Sequence, residues 1–378
     1  MNILYTLGSG TYGGMEFHVL DLVKGFIAKG HNVYVWCGEG EIVSDFTSVG
    51  AKVLIKTPSL ALDPLYIISL ARFLKSNSID VLHSHELKVV SNSLIAGKLS
   101  GVDINISHTH TPISKWQISK AKKLINIAVD SFLINTLSSM EIALTPVVLS
   151  QKLSEGIKKE KLTIIGNTVD TERFKLKPNI ERERIRDKFF TKYGIPKGTF
   201  IFGNISRLTK EKGHEVLIRA FAEVSRDFES RLLICGGGTL HKDYTKLIRE
   251  LGIEDKVIIT GYFSDSHKEN FFSIFDVFVF PTLAEGFGIV LLEAAASEVP
   301  IIASDLEVFK DLFGDRLDYF KSGEVRDLIK KMKSYSSIDW DKVREKCLIA
   351  RELVVKNYSF DQFISNYENL YKKIQVGK

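Results

Sequence analysis

Hydrophobic and polar positions alternate along the chain in two kinds of block. Short apolar runs bounded by glycine or polar clusters read as strands, and longer stretches with apolar residues three and four apart read as helices. In the first half, strands are predicted over 2–7, 31–36, 52–56, 81–83, 104–107 and 162–166. A further strand is predicted over 143–149, with Ser150 capping the helix after it. Leu20, Val23 and Ile27 mark a helix that ends at Gly30, and helices are predicted over 65–74 and 89–99. The charged run over 181–188 shifts the composition and marks a boundary. Beyond it the alternation restarts, with strands over 200–204, 231–235, 257–260 and 276–280 and helices over 215–224 and 244–251. Strand and helix in strict succession predict an α/β fold with parallel, doubly wound sheets. Two such series predict two domains facing a central cleft, where ligands usually bind.

Composition agrees with that size class. A chain of 378 residues, 44% hydrophobic and 26% charged, is long enough for two ordinary cores. Cys37, Cys235 and Cys347 are far apart and form no ligand spacing, so neither a disulfide framework nor a zinc motif is expected. The start, from Met1 to Tyr5, reads as a strand rather than a leader, and no apolar run reaches membrane-span length. A cytoplasmic setting is therefore expected. A net charge of +5 suits a phosphate-bearing ligand or an acidic membrane surface and gives no reason to expect nucleic acid.

The richest stretch runs from Phe280 to Glu293. Pro281 ends a buried strand, Gly286 and Gly288 loosen the backbone, and a helix opens through Ile289 and Leu292. Such a turn aims free backbone N–H groups at an anion. Glu285 precedes the helix, and Glu293 lies about 7 Å further along its axis. A carboxylate can accept both hydrogens of a vicinal diol, so a phosphate between two polyols, a nucleotide sugar, fits this spacing. Two glutamates near a helix N-terminus are also favourable for the dipole alone.

Arg207 and Lys212 lie on the loop after the strand over 200–204 and could neutralise a diphosphate without metal. In the first half, Gly8, Gly10 and Gly13 spell GxGxxG, with Glu39 near the end of the second strand. That is a dinucleotide-binding pattern on paper. Gly13 and Gly14 immediately precede the helix, so a glycine loop that lets a ligand approach the backbone is the preferred reading. His83, His85, His108 and His110 fall at strand ends. No carboxylate or cysteine completes a metal set there, and no metal is expected. A neutral His110, just before the Thr111-Pro112 turn, could bond a sugar hydroxyl. A helical pattern over 113–138 puts Ile118, Ala121, Leu124, Ile125, Ala128 and Val129 on one face. Trp116 falls among Lys115, Lys120, Lys122 and Lys123. That pattern fits peripheral contact with a membrane face or an acidic acceptor, and equally a solvated basic face. Asp339-Trp340-Asp341 spells DxD, but no strand precedes it, and Asp339 reads as a helix cap.

Taken together, these motifs resemble the retaining glycosyltransferases of family 4, over nearly the whole length. Gly13-Gly14-Met15-Glu16 resembles that family's N-terminal glycine loop, and residues 29–33 resemble the approach to its second strand. Residues 167–174 resemble its interdomain signature, although Thr168 stands where glycine is usual. Gly236-Gly237-Gly238 stands where Gly-Asp-Gly is usual. Arg207 and Lys212 match the family's pyrophosphate pair, and Glu285 and Glu293 its E-x7-E motif.

The resemblance implies the GT-B fold of two Rossmann-like domains. These would be 1–168 on the acceptor side and 169–356 for the nucleotide sugar, with helix 357–378 returning to the first. It implies that Glu285 contacts the transferred sugar and that Gly286, Phe287, Gly288 and Ile289 present backbone N–H groups to sugar and phosphate. It also implies that Glu293 binds ribose, that Tyr262 lies in the region cradling the base, and that Gly13 and Gly14 line the donor. His110, or the nearby His108, would face the donor sugar. Glu285, His110, Arg207 and Lys212 would carry the reaction, a metal-free transfer with retention. The donor would carry a hexose or N-acetylhexosamine, with UDP favoured over GDP, and the acceptor would be a glycan or lipid-linked glycan. A role in bacterial surface polysaccharide synthesis rests on analogy. A GT-B nucleotide-sugar epimerase and an NAD(P)-dependent oxidoreductase are the alternatives.

Overall fold

A computed structural model describes residues 1–116 and 118–377. The chain divides into two compact units, one of Met1–Thr168 with Phe360–Lys378 and one of Val169–Ser359.

Unit 1 is built on seven parallel strands: β1 (Asn2–Thr6), β2 (Asn32–Cys37), β3 (Lys52–Ile55), β4 (Val81–His85), β5 (Ile104–His108), β6 (Met140–Ala143) and β7 (Leu162–Ile164). Their order is β3-β2-β1-β4-β5-β6-β7, so the winding reverses between β1 and β4. Ile3, Tyr5, Val35, Val81 and Ile106 are fully buried, which is why these runs lack the half-polar alternation of a one-sided sheet. The helix Phe360–Val376 packs into this same core through Phe363, Ile364, Tyr367, Leu370 and Tyr371.

Unit 2 has six strands: β8 (Phe200–Ile205), β9 (Ser230–Cys235), β10 (Val257–Ile259), β11 (Val277–Phe280), β12 (Ile301–Ser304) and β13 (Asp318–Phe320). The order β10-β9-β8-β11-β12-β13 reverses between β8 and β11. Its core is rich in phenylalanine; Phe202, Phe221, Phe272, Phe275 and Phe278 are all buried.

Four local expectations are corrected. The segment over 143–149 is not a strand: β6 stops at Ala143, and the helix Pro146–Ser154 begins with Pro146 in its first turn. Its cap is the Thr145 hydroxyl, which accepts from Val148 N–H, and not Ser150. The pattern over 113–138 is not one helix. A 3-10 turn at Ile113–Lys115 precedes the helix Lys120–Leu137, and Ser119 caps that helix. Trp116 therefore sits in the connector, where its indole donates to Thr111 C=O, and not among helical lysines. Residue 117 of that stretch lies outside the described residues. The charged run over 181–188 belongs to the helix Asn179–Tyr193, whose Arg186 grips Asp276. The helix Ile42–Ser48, too short to show a clear period, has no counterpart in the sequence reading. Asp339 does cap its helix, accepting from the N–H groups of Asp341 and Lys342.

Candidate active site

In open α/β sheets, ligands bind beyond the carboxyl ends of the strands, where the winding reverses. In unit 2 that point lies between β8 and β11. The loop leaving β8 carries Arg207 and Lys212, and the loop leaving β11 carries Glu285. The backbone ties the two loops together: Leu283 N–H and the Thr282 hydroxyl both donate to Glu211 C=O, at 2.7 and 2.9 Å. Gly213 makes this possible. It adopts φ +68°, and a Cβ there would meet Pro281 O at 2.0 Å. Lys212 Nζ thus reaches Glu285 Oε2 at 2.6 Å, both side chains mostly buried. The other Glu285 oxygen accepts from Gly286 N–H at 3.1 Å. Arg207 is exposed.

The helix Ile289–Ala296 follows, with Gly288 as its N-cap in the left-handed region. Phe287 is buried, so only its backbone is offered to a ligand. Glu293 is 6% exposed, and its Oε1 accepts from Lys268 Nζ at 2.6 Å. Lys268 was not singled out in the sequence. It is a lone lysine opening a short helix after a serine-rich turn, and no spacing connects it with Glu293. Tyr262 is 84% exposed, and its ring lies against Gly237, where a Cβ would sit 2.6 Å from it. Tyr262 also lines an open groove of about 860 Å³ with Ile180, Phe189 and Phe263; Arg207, Lys212, Glu285 and Glu293 do not line it.

His214 is a second residue the motifs did not reveal. It opens the helix after Gly213, and its Nε2 lies 2.9 Å from the Ser206 hydroxyl and 3.1 Å from Asn204 Oδ1. Burial, and then the charge of Lys212, lower its pKa to about 4. A neutral imidazole therefore buttresses the loop that carries Arg207 and Lys212.

In unit 1 the winding reverses between β1 and β4. Gly13 caps the helix Gly14–Ala28 with no side chain, and Glu16, in the first turn, is 6% exposed. Burial raises the Glu16 pKa. A Cβ on Gly13 would meet Glu16 Oε2 at 2.4 Å, so this part of the glycine loop is filled by a carboxylate, whereas Gly14 faces open space. His110 follows β5 and is partly accessible. Its Nε2 lies 3.1 Å from His85 Nδ1. Burial, and then the nearby His18 and His83, hold its pKa well below the usual imidazole range. His110 is therefore a neutral hydrogen-bonding group. His108 lies inside the strand and is fully buried, so His110 is the more accessible of the two.

Comparison with known proteins now adds the class. The glycosyl transferases group 1 model matches residues 185–352, and the glycosyltransferase family 4 model matches residues 12–173. The chain is 25% identical over 338 residues to mannosylfructose-phosphate synthase of Agrobacterium fabrum, covering 79% of this chain and 72% of that one. It is 24% identical over 339 residues to the UDP-Gal:alpha-D-GlcNAc-diphosphoundecaprenol alpha-1,3-galactosyltransferase of Escherichia coli, covering 86% and 83%. Among solved structures, HepE of Anabaena in complex with UDP and glucose superposes with a TM-score of 0.84 at 21% identity, over 99% of this chain and 100% of that one. The chain belongs to the family-4-like glycosyltransferases, with the GT-B fold. The oxidoreductase and epimerase readings are not favoured, since these models and relatives are glycosyltransferases.

Proposed function

We propose that the chain transfers a hexose or N-acetylhexosamine from a nucleoside diphosphate sugar, UDP-linked in preference to GDP-linked. The acceptor is a glycan or lipid-linked glycan, the product is α-linked with retention, and the setting is the assembly of a bacterial surface polysaccharide. The observation that carries this reading is the Lys212–Glu285 pair at the reversal between β8 and β11, with Glu293 and Lys268 further along. The pair keeps a cation and a sugar-binding carboxylate at one point. A donor diphosphate would draw Lys212 and Arg207, leaving Glu285 to the hydroxyls of the sugar. As the anomeric bond breaks, charge grows on the leaving diphosphate, and fixed cations and backbone N–H groups stabilise it without reorganising. Glu293 would hold the ribose and Tyr262 would flank the base, and in unit 1 a neutral His110 could bond a sugar hydroxyl. The Escherichia coli relative, whose name specifies a UDP-linked donor and a lipid-linked acceptor, supports the choice of both. The Anabaena structure with UDP and glucose supports the nucleotide.

The helix Lys120–Leu137 supports a peripheral membrane contact at a cytoplasmic face. Leu124 and Phe132 are 68% and 66% exposed, Ile125 and Val129 are exposed beside them, and Lys120 and Lys122 are exposed on the same helix. An outward apolar stripe with lysines fits an anionic lipid surface. No helix among the described residues is long and apolar enough to cross a membrane. Binding to anionic liposomes, lost in a Leu124→Ser/Phe132→Ser variant that melts normally, is the expected result; equal binding by the variant would refute this contact.

The donor is tested by thermal shift in EDTA with UDP, GDP, ADP, NAD and NADP, followed by the sugar conjugates of any hit. A ligand that binds only the native state raises Tm. The expected result is a shift with UDP that is lost in Arg207→Ala. A shift with NAD or NADP alone would refute the donor assignment.

A further inference from the structure

Unit 1 buries more imidazoles than a hydrogen bond to one sugar requires. His83 and His85 are two residues apart on β4, so their side chains share a face. His108 faces them from β5, in register with His85. All three side chains are fully buried. His83 Nδ1 lies 2.9 Å from the Tyr371 hydroxyl, and His85 Nδ1 lies 3.1 Å from His110 Nε2. A neutral imidazole carries one N–H, and the Nδ1 tautomer satisfies it in both residues. Nε2 of each is then a bare lone pair. Neither Nε2 has a hydrogen-bond partner, and neither ring nitrogen of His108 has one. One ring nitrogen from each of the three lies within 4.8 Å of the others.

A second trio, His18, His108 and His110, is equally close. In that trio His18 is already engaged at both ring nitrogens. His18 Nδ1 donates to Asn167 Oδ1 at 2.6 Å, which leaves its Nε2 to accept from the Tyr367 hydroxyl at 3.1 Å.

We propose that His83, His85 and His108 form a transition-metal site in the core of unit 1, with zinc as the ion it takes. Three neutral imidazoles suit zinc and the later first-row metals, whereas calcium and magnesium need oxygen ligands. Zinc-bound histidines typically donate their other N–H to a fixed partner, as Tyr371 and His110 allow here. Zinc–nitrogen bonds of about 2.1 Å set the ligand nitrogens about 3.4 Å apart in a tetrahedron, so the rings must close slightly on the ion. No carboxylate belongs to the set, so the charge of the ion is not offset and its affinity falls below that of carboxylate-containing sites. The role is structural, joining β4 to β5 behind His110. It is independent of the donor assignment and takes no part in the transfer step.

The test uses the whole chain without an affinity tag. It is equilibrated with zinc sulfate, desalted, and assayed for bound zinc by mass spectrometry; cobalt(II) serves as an optical probe. Retention of about one zinc per chain and visible bands from cobalt(II) held by the three imidazoles are expected. Both should be lost in a His83→Gln/His108→Asn variant that still melts cooperatively. Tyr371→Phe, which leaves all three ligands in place, should weaken zinc binding about tenfold. A wild-type chain that melts normally yet retains no zinc and gives a featureless cobalt spectrum would overturn the proposal. So would zinc retained in full by the double variant, which would put the ion elsewhere. If the double variant does not fold, unchanged zinc affinity in Tyr371→Phe overturns it.

Discussion

Each unit places polar groups at the carboxyl edge of its sheet, and the two edges manage charge in opposite ways. The seven-stranded sheet ends in His83, His85, His108 and His110, which burial keeps neutral. The six-stranded sheet ends in Arg207, Lys212, Glu285 and Glu293, where both glutamates are held by ion pairs. A neutral ring can donate to or accept from an uncharged hydroxyl without a large desolvation cost. A paired charge can be exchanged for the charge of a ligand. On the first edge only His110 is accessible to an uncharged hydroxyl, whereas the second edge has the charges that the proposed diphosphate sugar would engage.

Lysine gives the sharpest contrast. In unit 1, Lys152 is fully buried, with carboxylate oxygens of Asp130, Glu141 and Glu155 at 3.3, 3.5 and 3.6 Å. Burial pushes the Asp130 carboxyl up in pKa. Glu141 also accepts from Thr109 N–H and Glu155 from Ser114 N–H, so the cluster pins the chain on both sides of His110. Removing one partner of a buried ionic cluster leaves uncompensated charge and costs about 3–5 kcal/mol. Lys152→Met should therefore lower the unfolding free energy of unit 1, read from urea denaturation, by that amount. A variant within about 1 kcal/mol of wild type, a cost typical of an exposed pair, would mean the carboxylates find water or protons instead.

Lys212→Ala should do the reverse. The Lys212–Glu285 pair keeps some contact with solvent, at 14% and 19% exposure, and the Tm should move by only a few degrees. Loss of one group that stabilises transition-state charge costs about 100-fold or more in turnover. Turnover within a factor of two or three of wild type would remove Lys212 from the reaction. Glu285→Gln sharpens the same test: UDP binding should stay nearly unchanged while transfer falls.

How far these edges were legible depends on how local their causes are. Strands β1, β8 and β11 show in the sequence because strands buried on both faces are continuous apolar runs. Arg207, Lys212 and Glu285 show because each lies in a short loop after a strand, and Glu293 because it stands at a fixed spacing from Glu285 in the helix that follows. The helix at Pro146 was hidden because Val147, Val148 and Leu149 are as apolar as a strand, and only the Thr145 cap and Pro146 betray the start. Lys268 and Glu293 meet across 25 residues, and His83 meets Tyr371 across 288. No period encodes such meetings; the winding of the sheet and the return of the last helix produce them.

Lys268 extends the comparison to donor binding. It reaches Glu293, so in the proposed donor site it would act by positioning that carboxylate. Lys268→Ala should raise KM for the donor about five- to tenfold, the loss of one charge-assisted hydrogen bond, with kcat nearly constant. A fall in kcat at constant KM would instead put Lys268 on the transferring phosphate.

The smallest effect concerns His214, the residue of unit 2 that behaves like the rings of unit 1. Its pKa of about 4 in the folded chain lies below the ordinary imidazole value near 6.5. Between those values the unfolded chain binds a proton that the folded chain refuses. The contribution of His214 is therefore present above about pH 6.5 and is lost as pH falls towards 4. His214→Gln keeps a hydrogen-bonding group beside Ser206 and Asn204 but cannot titrate. Between about pH 7 and pH 5.5 the wild type should lose about 1 kcal/mol more stability than the variant, read as the difference between their urea midpoints. Parallel pH profiles would mean that the ring takes up a proton in the folded chain as readily as in the unfolded one. Below about pH 6.5 Lys212 would then sit beside a second cation, and the loop would owe its shape to Gly213 and the Glu211 carbonyl alone.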